Sequence, residues 1–133
     1  MRRHTAACLL ALTLGACGAP SPAGDDGGTL TGRFSEFEVH AGVFFQFTLS
    51  ADDGARPVGV FRYPALPAVG RFEFALPGVL REGERYTAQW FIDLNDNGVY
   101  DLRGDHGGTL EFVGRASGVV LHHLHHANRA WVE

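Results

Sequence analysis

The chain has no lysine, and only two of its 133 residues, Cys8 and Cys17, are cysteine. With arginine as the sole strong cation, 15 Asp and Glu outnumber 11 basic residues and leave a formal charge of -4, a balance that argues against nucleic acid as a partner. The missing lysine sits beside abundant glycine and alanine, which reads as a GC-rich coding bias rather than as function. No apolar run is long enough to make a membrane-crossing helix. Enzyme signatures are also missing: Ser35, Ser50 and Ser117 stand outside any G-x-S-x-G turn, and there is no P-loop or dinucleotide fingerprint. The acids concentrate in one polar loop, whereas a glycosidase needs two carboxylates in unlike environments. These absences point away from catalysis.

What is present begins with Arg2-Arg3, a short apolar run from Ala6 to Leu14, and then Leu14-Gly15-Ala16-Cys17. This arrangement resembles the lipobox signal of bacterial lipoproteins. The resemblance implies a signal peptide over residues 1–16, cleavage before Cys17, and lipidation of that residue as the link to a membrane. Cys8 leaves with the signal and Cys17 is acylated, so the folded part is expected to hold neither a thiol nor a disulfide. The resemblance also implies Sec export to the cell envelope. Gly18, standing where an inner-membrane retention signal places Asp, favours the outer membrane of a Gram-negative bacterium. Residues 18–28 are Gly, Ala, Pro, Ser and Asp without apolar periodicity, and with Cys17 they read as a lipidated flexible tether over 17–28. Residues 29–133 then form one domain, large enough to bury a core.

Within that domain the dominant period is two. Val43, Phe45, Phe47 and Leu49 alternate with Phe44, Gln46 and Thr48; Phe72, Phe74 and Leu76 do the same, as do Tyr86, Ala88, Trp90 and Ile92. Leu30–Phe34, Val58–Tyr63 and Thr109–Val113 are shorter strand candidates. Asp52-Asp53-Gly54, Pro64 to Gly70, Pro77-Gly78 and Gly107-Gly108 carry turn chemistry between them. Seven or eight strands in one domain predict an all-β, Ig-like or transthyretin-like antiparallel sandwich. Leu80-Arg81-Glu82-Gly83-Glu84-Arg85-Tyr86 resembles a tyrosine corner, in which the phenol hydrogen-bonds back to upstream backbone. The alternative is that Tyr86 is one more core aromatic.

Two segments carry chemistry. The first, Asp93-Leu94-Asn95-Asp96-Asn97-Gly98-Val99-Tyr100-Asp101, reads D-x-N-x-N-G-x-x-D and resembles the start of an EF-hand loop. Side-chain oxygens of Asp93, Asn95, Asn97 and Asp101, with the Val99 carbonyl, are the expected Ca2+ donors. Gly104 stands where that pattern has a bidentate Glu, and Asp105, one residue later, is the substitute. Four carboxylates (Asp93, Asp96, Asp101 and Asp105) crowd this loop with Arg103 as the local counter-charge, and like charges 4 Å apart at a protein surface repel by up to about 4 kcal/mol. The competing reading is a plain hairpin turning at Asn97-Gly98.

The second segment is His122-His123-Leu124-His125-His126. Read as a strand, it puts His123 and His125 on one face and His122 and His126 on the other; a helix over Val120, Leu124, Ala127 and Trp131, capped by Ser117, is the alternative. Imidazoles two residues apart on a strand can chelate Zn2+ or Cu2+. His40, His106, His123, His125 and His126 are therefore candidates for a second metal, with Asp105 orienting His106. The bland reading leaves these histidines on a solvated edge. His40-Ala41-Gly42, the acidic loop, Asp105-His106 and His126-Ala127-Asn128 together resemble β-sandwich domains of uncharacterised bacterial lipoproteins, over roughly His40 to Trp131. That likeness implies a sandwich and a functional acidic loop, and transfers no activity.

The leading expectation is a membrane-anchored, non-catalytic, calcium-stabilised β-sandwich that serves as a structural module or binds a protein or glycan. The runner-up is a Zn2+ or Cu2+ binder or carrier built on the histidines. A third, a redox or hydrolytic enzyme on that metal, requires an open coordination position.

Overall fold

The computed structural model describes residues 27–133; the signal segment, Cys17 and nearly all of the tether lie outside the described residues. Eight strands form: β1 (Gly28–Ser35), β2 (Phe44–Ala51), β3 (Arg56–Tyr63), β4 (Phe72–Leu80), β5 (Arg85–Asp93), β6 (His106–Val113), β7 (Val119–Leu124) and β8 (Arg129–Val132). The first begins at Gly28, one residue ahead of the expected domain start. A single 3-10 turn, Glu38–His40, lies between β1 and β2.

The strands make two four-stranded sheets, ordered β4-β1-β7-β8 and β3-β2-β5-β6, so the expected β-sandwich is the fold. The Ig order, which sets the first strand beside the second, is not the one found. Strand β1 runs parallel to β7 and antiparallel to β4, and the four-plus-four arrangement is the transthyretin-like of the two expected forms. All other neighbouring strands are antiparallel.

Alternation decides which side chains meet between the sheets. Phe45, Phe47 and Leu49 of β2 are wholly buried, and Tyr86, Ala88, Trp90 and Ile92 of β5 join them from the next strand. Phe34 of β1 is the hub, with ring centroids 5.2 Å from Phe45, 5.4 Å from Phe72 and 5.5 Å from Trp90. Edge-on and offset pairs of this kind add about 0.5–1.5 kcal/mol each to the stabilisation from buried area. The corner is present as well: the Tyr86 hydroxyl accepts from the Arg81 N–H at 2.8 Å and donates its one proton to the Glu84 carboxylate at 2.7 Å, with the Val79 carbonyl 3.1 Å away as the competing acceptor.

Two local expectations are corrected, and one alternative reading, the helix, is set aside in favour of the expected strand. Pro77-Gly78 does not end a strand, since β4 continues to Leu80 with Gly78 at φ +69° beside a register shift. The helix over residues 117–131 does not form; β7, a turn and β8 occupy that segment. Gly107-Gly108 is not a turn but lies inside β6. A Cβ on Gly108 would stand 2.5 Å from the Trp90 ring, and one on Gly107 2.7 Å from both the Trp90 carbonyl and the Tyr100 ring. Gly108 thus makes room for the Trp90 indole and Gly107 for the Tyr100 ring and the Trp90 backbone. Gly108→Ala is accordingly expected to cost about 1–3 kcal/mol in urea unfolding, because Trp90 must leave its rotamer to make room.

Topology sets what meets at one end of the sandwich. Because β1 and β7 are parallel, their last residues, Ser35 and Leu124, are paired neighbours. In the other sheet, Phe44 at the start of β2 faces Asp93 at the end of β5, and Ile92 faces His106 at the start of β6. The connection from β1 to β2 joins these two ends.

Candidate metal centre

Three histidines from three segments converge at this end. His40 ends the 3-10 turn, His106 opens β6, and His125 follows β7, where its N–H donates to the Ser35 carbonyl. One ligand nitrogen from each lies within 4.8 Å of the others, and this is the group of three potential ligand side chains found among the described residues. The Nε2 atoms of His40 and His125 are 2.9 Å apart, so one ring donates a proton to the other. Two nitrogens on a tetrahedral zinc stand about 3.3 Å apart, so a few tenths of an ångström separate this pair from a shared ion.

The surroundings favour neutral imidazole, the form that ligates. Burial lowers the pKa of His125 from 6.5 to about 4, with the fields of His40, His123, His106 and His126 acting in the same direction. Burial, then His106 and His126, lowers that of His40. Phe37 stacks on His125 at 4.5 Å and holds its ring plane. His40 and His125 are half-buried and His106 is exposed, so the group sits at the rim.

Two of the five candidate histidines do not join it. His123 is turned into the core, 4 % exposed, among Trp90, Phe34 and Phe37 at 4.8–5.8 Å, and its Nδ1 has no hydrogen-bond partner. His126 faces the Glu38 carboxylate at 3.9 Å. His122, on the outer face, stacks on Trp131 at 4.9 Å. The strand reading thus separates His122 from His123 as expected, but the i, i+2 pair does not chelate because His123 is core.

The acidic loop joins β5 to β6 and is a long connection rather than a two-residue hairpin at Asn97-Gly98. Its side-chain oxygens turn inward on its own backbone. Asp93 accepts from the N–H groups of Asn97 and Gly98, Asn95 from Asn97, Asn97 from Val99, and Asp101 from Arg103. Asp105 accepts from Leu94 at 2.9 Å and Asp101 at 2.7 Å, which closes the loop across its neck. Backbone N–H groups therefore balance part of the crowded negative charge, most of all at the buried Asp93 and Asp105. Arg103, the expected counter-charge, contributes its N–H. The pairing of Asp105 with the His106 ring is corrected too, since both Asp105 oxygens serve the loop neck.

Beside the three histidines opens a cleft of about 390 Å³, lined by His106, His125, Phe37, Trp90, Tyr100 and Leu102 among others. Its walls other than the histidines and Asp105 are not legible in the sequence as one site, because they come from the β1–β2 connection, β5 and the acidic loop, and no local spacing relates them. Tyr100, inside the acidic motif, was the one visible signal. No protein-family model, curated protein or solved structure matches this chain.

Proposed function

We propose that this chain is a lipid-anchored, non-catalytic β-sandwich of the cell envelope that binds a transition metal, Zn2+ or Cu2+, through His40, His106 and His125. The observation that carries this reading is the convergence of three imidazole nitrogens within 4.8 Å from segments far apart in sequence. Nitrogen ligands without thiolate or thioether suit Zn2+ and Cu2+, and hard cations such as Ca2+ and Mg2+ poorly. A rim position lets the ion enter and leave without unfolding the domain, as a carrier requires. The lipobox-like segment ending at Cys17 supports the anchored, outer-membrane setting.

A second reading, a Ca2+-stabilised β5–β6 connection, is favoured by the inward orientation of the Asp93, Asn95, Asn97, Asp101 and Asp105 oxygens. One measurement separates the two. Titrated with each ion in turn, the full-length chain in detergent should take up one equivalent of Zn2+ or Cu2+ with a rise in Tm, and the His40→Ala/His106→Ala double variant should take up none. Uptake that survives in the double variant would overturn the histidine reading. A Tm rise with Ca2+ alone, lost in Asp93→Ala, would install the second reading in its place.

A further inference from the structure

The metal set consists of three imidazoles, and a tetrahedral ion needs a fourth donor. Among the described His, Cys, Asp and Glu side chains no fourth ligand atom joins the group. The nearest candidates are otherwise placed: His126 looks toward Glu38, His123 is packed in the core, and Asp105 has both oxygens on backbone N–H groups. His106 and His125 are themselves walls of the cleft, so the group stands at its edge. At about 390 Å³ the cleft far exceeds the ~30 Å³ that one water occupies and falls in the range of small-ligand pockets.

The charge of a guest follows from the same residues. A divalent ion held by three neutral imidazoles keeps its full positive charge, and field lines from it enter a cleft walled by Phe37, Trp90, Ile92 and Tyr100. Asp105 is the carboxylate among the lining residues, and its hydrogen bonds hold it at the loop neck.

We propose that the ion keeps an exchangeable position facing the Trp90–Tyr100 cleft, and that a small anionic donor from solution binds there. This rests on the histidine metal site proposed above. An exchangeable position also allows the metal to pass to an incoming ligand one bond at a time.

Azide added to the full-length chain loaded with one equivalent of Cu2+ tests this, followed by electron paramagnetic resonance and absorption. The expected result is nitrogen hyperfine structure from the imidazoles before azide, then a saturable charge-transfer band with one azide per copper. Tyr100→Ala and Leu102→Ala should keep the copper signal and weaken azide binding at least about threefold, by admitting water that screens the attraction between the ion and its anionic guest. Leu102 is 83 % exposed, so its replacement leaves the fold intact. A copper signal that azide does not alter would overturn the open position and leave the metal site standing. Azide binding equally tight in both variants would overturn the cleft as its seat. A chain that shows no imidazole-bound copper at all removes the metal reading and this inference together.

Discussion

His125→Ala is expected to lower Zn2+ or Cu2+ affinity by about a hundredfold, and by no less than about tenfold, while the chain stays folded. Loss of a group that merely orients a ligand costs 10–100-fold in metal affinity, and loss of a ligand costs at least as much. His125 is tied to both partners: its ring lies 4.8 Å from His40 and 5.4 Å from His106, and its Nε2 faces that of His40 at 2.9 Å. It is also the residue whose environment most strongly prepares it, since burial holds it neutral down to about pH 4. Removing it leaves two imidazoles, one exposed, without a common third. Calorimetric titration of wild type and variant measures the ratio, and an unchanged urea midpoint shows that the fold persists. Equal affinities would mean that the ion, if bound, sits elsewhere.

Acidification of the metal-free chain is expected to remove roughly 3 kcal/mol of stability between pH 6.5 and 4 through His123 alone, with the partly buried His125 adding to it in the same range. Burial pushes its pKa down to about 4, only partly offset by a hydrogen bond with the Arg129 backbone and by Glu36. The sign follows from proton counts. Between pH 4 and 6.5 the unfolded chain carries a proton on this ring that the folded chain excludes, so stability falls as pH is lowered and levels off below about 4. Above 6.5 both states are neutral and the effect is absent. With 4 % of the residue exposed, solvent screening does little to reduce it. Urea unfolding across this range measures the slope, and His123→Leu should flatten much of it. A variant that retains the full slope would place the acid sensitivity elsewhere.

The same two histidines mark how far local pattern reaches. Alternation in Val43–Leu49 and Tyr86–Ile92 reports burial directly, because a strand sends successive side chains to opposite faces whatever it pairs with. The Tyr86 corner was legible for a like reason, since its partners Arg81 and Val79 are near in sequence. His123 and His125, by contrast, share a face by period and differ in fate. His123 lies within β7 over the core, whereas His125 lies one step past the strand, where the chain turns out to the rim. Gly107-Gly108 misled in the same way: its composition belongs to a turn, but its purpose is to admit Trp90 from another strand.

The sequence by itself determined an all-β sandwich, its buried aromatics, and an acidic loop joining two strands. Tertiary structure alone decided which of His40, His106, His123, His125 and His126 stand together. Strand character is a local property of side-chain period, but His40 and His125 are 85 residues apart and meet only because β1 and β7 run parallel. The choice between parallel and antiparallel pairing is a matter of topology, which no spacing along the chain encodes.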